Sequence, residues 1–305
     1  RRNMGKIVIV GSINMDYTAL LEELPNPGET LMAKGFKMSG GGKGANQAMA
    51  AAIFSKDVLM VGCLGDDPAG HALYEKMKNK GIDMSCVEFT QTPTGNALIY
   101  VAEQGKNTIV VYPGANQDCT PAYVEKYHSV IEKASLVMMQ LEIPMETVEY
   151  VADIAYKANV PILLNPAPAN TLSDELISKI TYLTPNETEL LRITNQYDAK
   201  KGGIVLQEMG VKNIVVTLGS NGCYMKTEKE EDRIPTFKVN AIDTTAAGDS
   251  FSGALAAHLA KGYELKEALK IANATGALTT TKIGAQEALP TEEEVHQLIK
   301  SQKAE

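Results

Sequence analysis

The sequence predicts an α/β fold: a doubly wound, mainly parallel central sheet flanked by helices on both faces. Three observations predict it. Apolar, β-branched runs alternate with segments of helical period along most of the chain. Several of these runs are apolar at every position, as strands buried on both faces are. Polar residues collect where runs stop, at Glu142, Asn165, Asn186 and Thr217, and in such sheets ligands sit beyond the carboxyl ends of strands. With 305 residues, 44% hydrophobic, the chain can build a large core. It shows no linker and no internal repeat, so a single domain over 4–305 is expected, with Arg1-Arg2-Asn3 an appended remnant.

In order, “KIVIVGSINMD” opens with a buried strand that stops at Gly11, and “NPGE” is a turn. “GANQAMAAAIF” reads as a helix that begins straight after “SGGGKG”. “DVLMVGCLGDD” is a second buried strand, and “DPAGHALYEKMKNKG” a helix with Pro68 near its start and Gly81 past its end. “TGNALIYVAEQGKNTIVVYPGAN” reads as a hairpin turning at Gln104-Gly105-Lys106. Together with strand-like stretches near 13–20 and 30–38, it need not join the main sheet. From residue 120 the alternation is regular. Thr120-Pro121 and Pro144 start helices, while “ASLVMMQLE”, “VPILLNPAPAN”, “ITYLTPNETELL” and “NIVVTLGSNG” each carry a strand. “KVNAID” leads into “TTAAGDSFSGALAAHLAKG”, and helices fill the remainder.

Composition excludes several functions. The net charge of −8 argues against a nucleic-acid surface, and no run approaches the ~20 apolar residues of a membrane span. Cys63, Cys86, Cys119 and Cys223 lack paired spacing and read as reduced thiols of a cytoplasmic protein. His71, His128, His258 and His296 are scattered, with no zinc-ligand spacing.

“SGGGKGANQA” fails as a Walker loop, because Lys37 stands where the first glycine belongs and Gly44 follows Lys43. As a dinucleotide fingerprint it would need a buried strand before it, and “LMAKGFKM” is too polar. It reads instead as a turn that brings backbone amides and Lys43 against a polar ligand, or as a glycine turn with no ligand. In “AAGD” small residues let successive N–H groups converge at a helix N-terminus, where the macrodipole favours an anion. Asp249 there is either a general base taking an alcohol proton or a plain first-turn acid. A serine hydrolase at Ser250 would need an oriented histidine; His258 lies on the same helix two turns away, and GxSxG is absent.

“GSINMD”, “GGGKGANQA”, “TPNETE” and “DTTAAGD”, in that order from Lys6 to Pro290, resemble the ribokinase-like family of carbohydrate kinases. The resemblance implies one α/β domain with a small β-sheet lid from the strands near 13–20, 30–38 and 94–112, and a homodimer paired through the lids. It implies ATP-dependent phosphorylation of D-ribose at O5, or of another sugar or nucleoside (deoxyribokinase, fructokinase or adenosine-kinase-like activity). Asp249 would be the base, Ala246, Ala247 and Gly248 the anion hole, and Lys43 a catalytic cation. Asn14, Asp16, Gly41, Gly42, Lys43, Asn46 and Glu142 would bind the sugar. Asn186 and Glu189 would serve phosphate and Mg²⁺-bound water, with Thr217, Gly219, Ser220, Gly222 and Asn273 lining the ATP site. Asp243, Thr245, Thr280, Ile283, Gly284 and Ala288 would surround a monovalent cation such as K⁺. Ala288 stands where many relatives carry serine, and “GDSFSGA” replaces the commoner “GDTFNGA”.

Overall fold

A computed structural model describes residues 5–103 and 106–302. The strands are β1 (Ile7–Val10), β2 (Asn14–Leu21), β3 (Gly35–Gly41), β4 (Val58–Gly65), β5 (Asp83–Thr90), β6 (Gly95–Ala102), β7 (Asn107–Tyr112), β8 (Leu136–Met139), β9 (Ile162–Leu164), β10 (Tyr182–Leu183), β11 (Asn213–Thr217), β12 (Cys223–Lys226) and β13 (Glu231–Ile234). The helices are α1 (Lys43–Phe54), α2 (Pro68–Asn79), α3 (Pro121–Glu125), α4 (His128–Glu132), α5 (Met145–Lys157), α6 (Asp174–Lys179), α7 (Glu187–Thr194), α8 (Ala199–Glu208), α9 (Ala247–Ala260), α10 (Leu265–Thr279) and α11 (Glu292–Ser301).

Nine strands form the main sheet, in the order β13-β12-β11-β10-β9-β8-β1-β4-β5. From β5 to β11 all neighbours are parallel, and β12 and β13 close one edge antiparallel. β1 explains why its run is apolar throughout. Ile7 and Ile9 pack into one core with α1, α2, α9 and α10, whereas Val8 and Val10 pack into a second core with α3 to α8. Residue alternation thus feeds both faces. Because β1 pairs with β4 on one side and β8 on the other, the winding reverses there, and a crevice opens beyond its carboxyl end.

A separate four-stranded sheet, β3-β2-β6-β7, is the lid. β2 runs antiparallel to β3 and parallel to β6, and β6 runs antiparallel to β7. The strand expected near 30–38 is Gly35–Gly41, because β2 ends at Leu21 and its register pairs Leu20 with Gly35. Residues 30–33 lie beyond that register, and the Lys34 N–H makes one last bond to the Leu20 carbonyl at 2.7 Å. Gly40 and Gly41 belong to the strand, so the glycine run is a strand end passing directly into α1, not a free turn. The expected turn at Gln104-Gly105 lies outside the described residues. All four cysteines are buried and free, and no helix among the described residues is long and apolar enough to cross a membrane.

Helices α1 and α9 touch closely because both carry small residues where they meet. A Cβ at Gly253 would lie 2.4 Å from the Gln47 carbonyl oxygen and 2.7 Å from the Ala50 Cβ. That contact brings Asn46 and Gln47 of α1 against Asp249 in the first turn of α9.

Candidate active site

Past β1, the Ser12 carbonyl accepts from the Ala45 N–H at 2.8 Å, lodging the start of α1 against the β1–β2 turn. Gly42 caps α1 at φ 84°, and a Cβ there would stand 2.8 Å from the Asn14 nitrogen. Glu142, just beyond β8, ties these pieces together: its Oε2 accepts from Ser12 Oγ at 2.6 Å and from the Lys43 N–H at 2.9 Å. Asn14 and Asp16 project from β2 between glycine neighbours. A Cβ on Gly41 would meet the Asp16 carboxylate at 2.2 Å, and one on Gly95 would meet Asn14 Oδ1 at 2.5 Å. Asn14 Oδ1 accepts from Asn116 Nδ2 at 2.7 Å, while Asn116 Oδ1 accepts from the Ile13 N–H at 2.9 Å. The seven expected sugar residues therefore converge. Asn116, which sequence reasoning passed over in “YPGAN”, fixes the orientation of one of them.

The acids here crowd each other. Asp16 is pushed up to about 7 by burial first, then by Glu142, Glu287 and Asp249. Burial likewise raises Asp249, opposed by Lys43, Asn46 and Gln47. For Lys43, burial favours the neutral amine, but Asp249, Glu142 and Glu189 together outweigh it, and the ammonium form is favoured. Between the usual 3.8 and about 7, folded Asp16 binds more protons than the unfolded chain, so its contribution to stability falls as pH rises through that window. Ligand-free Asp16→Asn is expected to melt a few °C higher than the unsubstituted protein at about pH 8. The gain should vanish near pH 4, where Asp16 is neutral too. Thermal melts with the same increment at both pH values would contradict this.

Asp249 sits in the first turn of α9, behind Ala246 in the left-handed region at φ 58°. That conformation, uncommon for a residue with a Cβ, gathers the following N–H groups into an anion-binding concavity. The Ala247 N–H is taken by the Thr244 carbonyl at 3.2 Å. Among the described residues no acceptor meets the N–H groups of Gly248 and Asp249. Ser250 donates to the Ala247 carbonyl at 3.0 Å and accepts from Thr279 Oγ1 at 2.8 Å, pinning this turn to α10.

Beside the turn lies a cleft of about 950 Å³. Asn186, Thr217, Gly219, Ser220, Gly222, Asn273, Ala247 and Gly248 all line it, so the expected nucleotide residues come together. Phe237 and Val239 line it too; they follow β13, a segment the sequence reading left unassigned. Asn273 donates to the Ile234 and Pro235 carbonyls, each at 3.2 Å, and so holds one wall. Glu189 lies behind the lining. With Asn186 it forms a reciprocal cap on α7, in which the Asn186 N–H donates to Glu189 Oε2 and the Glu189 N–H to Asn186 Oδ1, both at 2.8 Å. Burial raises the Glu189 carboxyl, while the Asn186 N–H and Lys43 pull it back.

Asp243 joins two loops. Its Oδ1 accepts from Thr245 Oγ1 at 2.6 Å and from the Thr245 N–H at 2.9 Å, and its Oδ2 accepts from the Gly284 N–H at 2.9 Å. The Thr280 carbonyl accepts from the N–H groups of Ile242 and Asp243. Ile283 is exposed and Ala288 fully buried.

The arrangement puts a buried carboxylate, a helix turn with open N–H groups and a lysine between a crevice lined by acids and amides and a large cleft. Residues 4–292 match the family model for pfkB family carbohydrate kinases. The chain belongs to the pfkB family of carbohydrate kinases. This pfkB-family chain is 39% identical over 305 residues to a ribokinase of Bacillus subtilis, covering 97% of itself and 100% of that protein. Its fold superposes on the crystal structure of a ribokinase from Thermotoga maritima with a TM-score of 0.91, at 35% identity and with 97% and 99% of the two chains covered. A ribokinase of Arabidopsis thaliana, complexed with ribose and ATP, gives the same TM-score at 32% identity, covering 97% of this chain and 99% of that one.

Proposed function

We propose that the protein is an ATP-dependent ribokinase that transfers the terminal phosphoryl group of ATP to O5 of D-ribose, giving D-ribose 5-phosphate and ADP. One observation carries the reading. The buried Asp249 carboxylate and the open N–H groups of its own helix turn lie where the Asn14–Asp16–Glu142 crevice meets the cleft lined by Asn186, Thr217 and Gly248.

Asn14, Asp16, Lys43, Asn46 and Glu142, with the backbone at Gly41 and Gly42, bind the sugar hydroxyls; buried acceptors suit a polyol and penalise a sugar lacking a partner hydroxyl. The cleft takes ATP, its triphosphate reaching the turn at 246–249. Asp249 takes the hydroxyl proton as O5 attacks the terminal phosphorus and ADP departs. The helix turn and Lys43 offset charge on the transferring group, since positioning and electrostatics supply most of such catalysis. The lid excludes water and so limits wasteful hydrolysis.

Glu189 and Asn186 present hard oxygen donors and fit Mg²⁺ held through water, which would supply charge neutralisation at the phosphates. The Asp243 carboxylate and oxygens of Thr245, Thr280, Ile283 and Gly284 would offer an oxygen-only set that suits K⁺, with no side-chain oxygen from Ala288. Asp243 also ties the 243–245 loop to Gly284, so a cation there stiffens the approach to the anion site. Pairing of two lids in a homodimer is supported by one lid face. Phe36, Met38, Leu98, Val110 and Tyr112 share the face opposite Asp16, and each is 40–66% exposed.

ADP release measured with ribose, 2-deoxyribose, fructose and adenosine tests the assignment. Ribose should give the highest kcat/KM, by about tenfold or more over 2-deoxyribose; a better rival would reassign the substrate. In the same assay, exchanging K⁺ for tetramethylammonium should lower the rate, and equal rates would remove the cation assignment.

A further inference from the structure

We infer that Gln47, locked in orientation by Gln140 and Asn165, is a positioning residue that fixes the Asp249 carboxylate and leaves Oδ2 as the oxygen that takes the sugar proton. The inference rests on the kinase reading above.

Three fully or nearly buried amides form a chain behind the base. Gln140 Nε2 donates to Gln47 Oε1 at 2.6 Å. Gln47 Nε2 donates to Asp249 Oδ1 and to Asn165 Oδ1, each at 2.9 Å. Asn165 Nδ2 donates to the Thr184 carbonyl at 3.0 Å. An amide can be built either way round, but this chain cannot be reversed. An ionised carboxylate and a backbone carbonyl only accept, and they stand at its two ends. Asp249 therefore dictates that Gln47 presents nitrogen, and Thr184 dictates that Asn165 presents oxygen to Gln47. The remaining Gln47 oxygen must face a donor, which Gln140 supplies.

The other carboxylate oxygen also accepts from one side-chain amide, but that amide is not locked by a backbone group. Asp249 Oδ2 accepts from Asn46 Nδ2 at 3.0 Å, and Asn46 Oδ1 accepts from Gln286 Nε2 at 3.1 Å. Asn46 is only partly buried and borders the crevice, whereas Gln47 is fully buried. A proton on Oδ1 would point at the Gln47 nitrogen, which cannot turn over, whereas Asn46 can present its oxygen to a proton on Oδ2 by turning over together with Gln286, whose buried Oε1 has no hydrogen-bond partner. The step that balances is transfer of the O5 proton to Oδ2 as the O5–phosphorus bond forms and the bond from phosphorus to the bridging oxygen breaks, ADP keeping the electron pair. The charged groups facing Asp249 are Lys43 from α1, Asp16 from β2, Glu142 beyond β8 and Glu189 on α7. Against three acids and one cation, a neutral donor from behind favours the ionised base without occupying the crevice.

The test measures kcat against pH, with KM for ATP, in the full chain carrying Gln47→Leu, Gln47→Glu or Gln140→Leu. Gln47→Leu should lower kcat about 10–100-fold and move the acid limb upward by about one unit. The direction follows from losing a hydrogen bond to the charged form, and KM for ATP should stay within about twofold. Gln47→Glu should lose more, because its carboxylate would face Asp249. Gln140→Leu, which contacts neither base nor substrate, should move the limb the same way by less. An unmoved limb in folded Gln47→Leu overturns the inference, and if that variant does not fold, an unmoved limb in Gln140→Leu does. Asp249→Asn, run alongside, separates the two levels. Turnover surviving in it would sink the kinase reading itself, whereas an inactive Asp249→Asn beside an unaffected Gln47→Leu retires only the role of Gln47.

Discussion

Asp249→Asn is expected to lower kcat by ~10² or more, the range of general-base assistance, while ribose and ATP continue to bind. The substitution keeps shape and removes the capacity to take a proton. The surroundings sharpen the expectation, because both carboxylate oxygens accept from side-chain amides, Oδ1 from Gln47 and Oδ2 from Asn46. An asparagine offers one oxygen and one NH₂, so one of those donors would confront another donor, at the expense of an unsatisfied buried group. Folding is still retained on balance, since the substitution also removes a charge that burial disfavours. Titration calorimetry should give ribose and ATP affinities within about fivefold of the unsubstituted protein. Steady-state turnover near normal would show that another group takes the proton.

Gly42→Ala is expected to be nearly as damaging by a different route. Gly42 and Gly81 have almost the same φ, 84° and 86°, yet their surroundings differ. At Gly81 a Cβ would have no neighbour within 4 Å, so alanine there brings only the left-handed strain, about 1 kcal/mol. At Gly42 the Cβ would lie 2.8 Å from the Asn14 nitrogen, 3.0 Å from the Ser12 carbonyl oxygen and 3.1 Å from the Ile13 Cα. All three are main-chain atoms, and none can turn aside. The turn bearing Asn14 and the start of α1 bearing Lys43 and Asn46 must separate. KM for ribose should rise by about 10², with a lowered melting temperature. Gly81→Ala should leave KM unchanged and lower stability alone, and a matching KM in the two variants would refute the steric account.

The fold and the outline of the candidate site were legible because the signals were contiguous. Uniformly apolar runs ending in polar residues gave the parallel strands, and small residues beside Lys43 and Asp249 marked the two helix starts. The residues that hold the site from behind were quoted but left without a role. Gln47 lies in “GANQAMAAA” and Gln140 in “LVMMQLE”; a lone amide inside an apolar run is itself a sign of a buried polar partner. What no local pattern carries is which partner. The Gln47–Asp249 bond spans 202 residues and the Asn14–Asn116 bond 102. The lid was similarly half visible. Its strands could be marked, but the parallel pairing of β2 with β6 depends on chain far outside either segment. The strand expected near 30–38 was misplaced because its bounds are set by where β2 stops, not by its own composition.

The crevice side of the site is supplied largely by residues up to Glu142, and the cleft side by residues from Asn186 onward, with Asp249 at the join. On the proposed reading, recognition of acceptor and donor would be written into separate stretches of the polypeptide. Selection could alter which alcohol is modified by editing the first stretch and which triphosphate is used by editing the second, each leaving the other's chemistry in place. Such a layout lets one scaffold diversify along two axes independently, with the shared carboxylate as the fixed point between them.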